Sequence, residues 1–222
     1  MKYGEDSVDL SKFYVEYYAK LNVDLVMKLR PTFLKKSERP DFVSSHREVG
    51  LEVTRAVIEQ WAQQEADMNR HFGPDMPGEA VEQDILFDCI NAKVPRNRNE
   101  KIPEPFLVLP QEVRDLHIAR IQERIEDKTR LLGEYQPCRK SWLYIYSDTL
   151  GLERTDIERV KSYYDAQSET KRYDILFVKV GCLLYVLQQE EKMQVRQLSQ
   201  LQSYRAHNRA RSLAFWTSRK RR

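Results

Sequence analysis

Apolar and polar positions along the chain switch between a helical and a strand rhythm. DLSKFYVEYYAKL (residues 9–21) spaces its apolar residues as a helix does, with Asp9 or Ser11 available as cap. VDLVMKLR (23–30) alternates apolar and polar and predicts a strand, and Pro31 with the polar KKSERP marks a turn region. DFV and VGLEVT, joined by the polar SSHRE, form a candidate hairpin. Helical spacing resumes at AVIEQWAQQEADMNRHF and stops at GPDMPG.

Further along, PQEVRDLHIARIQERIEDKTRLLGEY predicts a long amphipathic helix on Leu116, Ile118, Ile121, Ile125 and Leu132, with Gly133 a natural end. SWLYIYS (141–147) reads as a strand, LERTDIERVKSYYDAQ as a helix, and YDILFVKVGCLLYVL as one or two strands. QQEEKMQVRQLSQLQSYRAHNRARSLAFW reads as a final helix. Helices alternating with strands predict an α/β (α+β) protein with a mixed sheet.

Length and composition narrow this picture. A chain of 222 residues, 41% hydrophobic and 32% charged, fits one soluble domain able to bury its own core. Six of the nine prolines fall at 72–110, which marks that stretch as an insertion. The expected organisation is a domain over 1–190 followed by a basic helix or tail over 191–222. The longest apolar run, ILFVKVGCLLYVL, contains Lys179 and is too short to span a bilayer, so no membrane association is expected. The opening MKYGEDSVDL is polar rather than signal-like. Three widely spaced cysteines, Cys89, Cys138 and Cys182, suit neither a disulfide framework nor a zinc knuckle; a cytoplasmic protein with reduced thiols is expected.

Charge is unevenly placed. From Met193 to Arg222 there are eight Lys or Arg and no Asp or Glu, against a net +3 for the whole chain, so the remainder is net acidic. A basic tail on an acidic body suits an anionic partner, nucleic acid above all, with Arg205, Arg209, Arg211 and Lys220 as contacts. Arg96 and Arg98 in KVPRNRNEK could add phosphate contacts. The alternatives are a solvated helix with a basic end, or a helix that pairs with a second copy of the chain. FYVEYY (13–18) and SYYDAQ (162–167) read as core packing rather than base-stacking platforms. The four histidines are isolated, and no glycine-rich phosphate loop is present, which disfavours nucleotide cofactors.

The hairpin holds the candidate chemistry. A turn centred between His46 and Arg47 sets Asp41 opposite Glu52, with Cβ atoms about 4.5–5.5 Å apart. Alternation puts Asp41, Val43, Gly50, Glu52 and Thr54 on one face, and Phe42, Leu51 and Val53 on the other, toward a core. Two carboxylates this close repel unless one is protonated or a cation lies between them. Mg²⁺ (or Mn²⁺) meets that need, because it takes oxygen ligands and commonly uses one or two carboxylates plus waters and phosphates. Gly50 on the same face would leave room for a phosphate or a water.

Pro40-Asp41, ten residues and then Glu52-Val53-Thr54 resemble the signature of the PD-(D/E)xK nuclease superfamily. The order of elements from residue 9 to residue 147 suits its restriction-endonuclease-like fold, a mixed central sheet flanked by helices. The resemblance implies a Mg²⁺-dependent nuclease with Asp41 and Glu52 as metal ligands. Glu16 stands where some members add a carboxylate from the first helix. The pattern departs at Thr54, which occupies the position of the motif lysine. Members exist whose basic residue has moved to a neighbouring helix, and Lys128 is the candidate here, with Arg55 on the opposite face a poorer one. Without such a cation, the same scaffold would act as a catalytically inactive module that binds nucleic acid or protein.

Overall fold

A computed structural model describes residues 4–58, 109–147, 149, 151–167 and 172–220. Within them a seven-stranded mixed sheet lies between two layers of helices. The first helix, α1 (Gly4–Val26), precedes β1 (Leu34–Lys36), β2 (Phe42–Ser44) and β3 (Val49–Ala56). Helix α2 (Gln111–Leu132) leads to β4 (Lys140–Ser147), and α3 (Arg154–Asp165) to β5 (Ile175–Val180). The chain closes with β6 (Leu183–Gln188), β7 (Gln194–Gln197) and α4 (Gln200–Lys220).

Strands lie in sequence order. The outer pairs β1–β2, β2–β3, β5–β6 and β6–β7 are antiparallel, while β3–β4 and β4–β5 are parallel. The β4–β5 crossover runs through α3, as parallel neighbours require. Parity along each strand divides the core. Phe42, Leu51, Val53, Trp142, Tyr144 and Phe177 face α1 and α4. Leu143, Ile145, Leu176 and Val178 meet Ile118, Ile121 and Ile125 of α2 and Ile157 and Val160 of α3. The β2–β3 register pairs Phe42 with Leu51 and Val43 with Gly50, the pairing expected from a turn centred between His46 and Arg47.

Four sequence expectations are corrected. Residues 23–26 continue α1 instead of starting a strand, because Val23, with no exposure, extends the helical stripe of Ala19. Lys28, at φ 54, closes that helix; the Leu29 amide donates to the Asp24 carbonyl and the Lys28 amide to the Leu25 carbonyl. Part of the presumed turn before Asp41 is strand β1, paired with β2. Leu116 of α2 is 56% exposed rather than buried in the core. Residues 194–197 form β7 on the edge of β6, so the final helix begins only at Gln200. The 72–110 insertion and most of the helix expected at 56–72 lie outside the described residues, except that Ala56 ends β3.

Aromatic clusters pack as core: Phe13, Tyr14, Tyr17 and Tyr18 are all buried. Helix α4 lies against α1, its His207 and Thr217 side chains bonded to the hydroxyls of Tyr14 and Tyr17 at 2.8 and 2.7 Å. Between β5 and β6, Gly181 (φ 52) makes the two-residue turn. No described helix is long and apolar enough to cross a membrane.

Candidate active site

The site begins where the β2–β3 ladder stops. Strand β3 pairs with β2 only at Gly50 and Leu51, yet runs on to Ala56 against β4. The backbone groups of 53, 55 and 57 on the vacated edge still need partners. Side chains supply them. The Val53 amide donates to Asp41 Oδ2 at 2.8 Å, Arg124 Nε donates to the Arg55 carbonyl at 3.2 Å, and Arg120 Nε to the Val57 carbonyl at 2.9 Å. Asp41 is thereby fixed in orientation, with one carboxylate oxygen on the backbone.

Parity decides where Glu52 points. Leu51 and Val53 face α1, so Glu52 faces α2. There Lys128 Nζ donates to Glu52 Oε1 at 2.7 Å and the Tyr135 hydroxyl donates to the same oxygen at 3.1 Å. On the other layer, α1 brings Glu16, 3% exposed, to the same place. Lys36 from β1 bridges the acids: its Nζ lies 2.6 Å from Glu16 Oε2 and 3.6 Å from Asp41 Oδ1. Lys12 stands 3.9 Å from Glu16 at the surface. Asp41 and Glu52 are themselves 7% and 5% exposed. Three buried acids therefore share two partly buried ammonium groups.

Electrostatics follow from that stoichiometry. Burial, and then the nearby Asp41 carboxylate, push Glu16 up to about 7, against the pull of Lys36. The same two causes raise Glu52, opposed by Lys128 and Tyr135. Burial and the Glu52 charge hold the Tyr135 phenol protonated, above its ordinary value, which suits a donor. Ionising all three acids crowds negative charge into a buried place where Lys36 and Lys128 are the near cations and Lys12 reaches Glu16 only from the surface, and a proton or a cation at the cluster relieves that repulsion.

A cleft of about 840 Å³ opens over the cluster, lined by Glu16, Asp41, Glu52 and Lys128 and rimmed by Arg39, Arg55 and Arg124. Thr54 lines it too, half-buried and uncharged, two residues along the strand from Glu52. Arg55 falls in register with Tyr146, on the α1 side of the sheet, and reaches only the cleft. Gly50 does not line this cleft, and the place a Cβ would take there is filled by Cys138 Sγ and Pro40 Cγ, each 2.8 Å away, so the glycine opens no space beside the acids.

The remaining predicted residues lie apart from the acids. Arg205, Arg209 and Arg211 are exposed on α4 and do not line the cleft, and Lys220 ends that helix. Arg96 and Arg98 lie outside the described residues. Sequence reasoning missed Lys36 and Tyr135. Lys36 was hidden because its strand is three residues long; pairing Lys36 with Phe42 is what sets it beside Asp41. Tyr135 follows the end of α2 in a turn, where no periodicity points inward.

An all-oxygen donor set of carboxylates suits a hard divalent ion. Among the described residues, no three or more of His, Cys, Asp and Glu are arranged to enclose a metal ion. An ion here would thus be held by one or two carboxylates, with waters completing its shell, which is the habit of Mg²⁺. Compared with known protein families, curated proteins and solved structures, the chain matches none.

Proposed function

We propose that the chain is a metal-dependent nuclease with a restriction-endonuclease-like core of the PD-(D/E)xK kind, working in the cytoplasm on DNA or RNA. The observation that carries this reading is the meeting of Glu16, Asp41 and Glu52 in one cleft, with the Lys128 ammonium 2.7 Å from Glu52. Asp41 and Glu52 would hold Mg²⁺ or Mn²⁺, with Glu16, paired to Lys36, beside the ion rather than on it. Such an ion supplies a water of lowered pKa and neutralises charge on the phosphodiester.

The chain's own groups have separable tasks. Asp41 is oriented by the Val53 amide, which leaves Oδ1 directed at the cluster. Lys128 takes over the part of the motif lysine that Thr54 lacks: a fixed positive charge beside the acid, able to orient water and stabilise the phosphorane-like charge. Arg39, Arg55 and Arg124 at the rim suit flanking phosphates.

Hydrolysis adds water across a P–O bond and should be visible on single- or double-stranded DNA or RNA with Mg²⁺ or Mn²⁺. Cleavage is expected from the wild type and lost in Asp41→Asn and Glu52→Gln; cleavage that persists in both variants overturns the assignment. A second reading, an inactive nuclease-like module that binds nucleic acid, is favoured by Thr54 and by the engagement of Asp41 with backbone and of Lys128 with Glu52. Binding without cleavage of any of the four substrates selects it.

A further inference from the structure

The two faces of α4 differ in chemistry. Inward, Ala210 and Ala214 have no exposure and Ser203 is buried, so small residues let α4 sit close on α1. At 3.6 residues per turn, the opposite face carries Tyr204, Arg205, Arg209, Phe215, Trp216 and Arg219. The three aromatics are unusually open, at 58%, 44% and 59% exposure for Tyr204, Phe215 and Trp216. The Phe215 and Trp216 rings meet edge to face at 6.1 Å, and the Arg219 guanidinium lies 4.5 Å over Phe215.

Burial does not explain these rings, and their spacing excludes some partners. Between Tyr204 and Phe215 the exposed positions are Arg205, Asn208, Arg209, Arg211 and Ser212, so the face is no continuous apolar stripe. A partner helix or a lipid surface calls for such a stripe. Rings separated by guanidinium groups, with no acid from Met193 to Arg222, match a different ligand. Unpaired bases stack on aromatic faces of any sequence, and the strand's phosphates are neutralised by the interleaved cations.

We infer that the outer face of α4 binds single-stranded nucleic acid, with bases stacked on Tyr204, Phe215 and Trp216 and phosphates on Arg205, Arg209 and Arg219. As a statement about substrate it rests on the nuclease reading and narrows it to strands with unpaired bases. As a statement about binding it is independent of catalysis.

The test is fluorescence anisotropy of labelled oligo-dT and of a duplex of equal length, with the full chain in EDTA so that nothing is cut. Oligo-dT should bind more tightly than the duplex. Tyr204→Ala combined with Trp216→Ala should weaken oligo-dT binding by about tenfold or more, while Trp216→Phe should largely preserve it. Arg205→Gln with Arg209→Gln should reduce the salt dependence. Tyr204 and Trp216 are exposed, so circular dichroism melts of the aromatic variants should match the wild type, while the melt of the arginine pair is read as its own folding control because the Arg209 charge acts on buried Asp24. Equal oligo-dT affinity for wild type and the double aromatic variant overturns the inference. So does an aromatic-dependent affinity for phosphatidylserine vesicles with oligo-dT binding unchanged. Aromatic-dependent binding in a protein that cleaves nothing leaves the inference standing and removes the nuclease reading alone.

Discussion

Helix α2 carries an ionic cluster at each end, and acids in the two are shifted in opposite directions. Near its N-terminus, Arg114 lies 2.7 Å from Glu153 and 3.5 Å from Asp156, and Arg159 lies 2.6 Å from Asp115 and 4.0 Å from Asp156. Near its C-terminus, Lys128 joins Lys36 among Glu16, Asp41 and Glu52. Each cluster has three acids; two arginines answer the first, while Lys36 and Lys128 answer the second with Lys12 at the surface, 3.9 Å from Glu16. At the first, a hydrogen bond from Arg159 and then one from Gln111 hold Asp115 below the usual carboxylate range. At the second, burial raises Glu16 and Glu52. The Asp115 side chain is 47% exposed, those of Glu16 and Glu52 only 4% and 6%.

Counting charges therefore does not separate a strut between helices from a site. What separates them is whether the acids gain or lose by being ionised where they stand. Asp115 gains, and its cluster ties α2 to α3. Glu16 and Glu52 lose, and a buried cluster that resists its own ionisation in an open cleft is the pattern expected where a cation or substrate supplies the missing charge.

The largest expected contrast is in activity. Glu52→Gln should lower nucleic-acid cleavage by at least about a hundredfold, whereas Asp115→Asn should leave the rate nearly unchanged. Comparable losses in both, measured under single-turnover conditions, would erase the distinction between the two ends. Next in size is stability. Among the described residues, Lys128→Ala leaves buried Glu52 with only Tyr135 as side-chain donor, and it should cost about 2 kcal/mol in urea unfolding. A midpoint equal to the wild type's would show that the ion pair is absent in solution.

The pH dependence should run in opposite senses. Folding raises Glu16 from 4.5 to about 7, so between those values the folded chain holds a proton that the unfolded chain has released. Stability from this group is complete below 4.5 and declines as pH rises through about 7. Glu16→Gln removes the decline, so it should raise the melting midpoint more at pH 8 than at pH 5. Parallel pH profiles for wild type and variant would contradict it. Asp115, with its pKa lowered, instead contributes stability above its ordinary value of 3.8 and loses it as pH falls. The smallest effect belongs to Arg159→Ala at this exposed pair, which should shift the unfolding midpoint only slightly, and less still in high salt.

Much of the site was legible because strand parity is strict. The β2–β3 register followed from a turn centred between His46 and Arg47, but the ladder stops at Phe42–Leu51, so Asp41 and Glu52 meet in one cleft rather than as a ladder pair. Lys128, 76 residues from Glu52 in sequence, could be named only through the resemblance, which allows the motif's basic residue to sit on a neighbouring helix. The rest was hidden for physical reasons. A strand of three residues, Leu34–Lys36, is too short for alternation to register, and Lys36 was lost with it. Residues 23–30 alternate only in part, and Val23 packs as part of a helix already about five turns long, so that packing overrides the local pattern. Strand β7 carries only one apolar residue, Val195, and exists because the edge of β6 needs a partner.

The most direct test of a cation at the buried acids is calorimetric titration of Mn²⁺ into the full chain at pH 8. One ion per chain is expected for the wild type and for Asp115→Asn. None is expected for Asp41→Asn, which keeps an acceptor for the Val53 amide, or for Glu52→Gln. A wild type that binds no ion, or binding that survives both substitutions, would contradict a cation at this cluster.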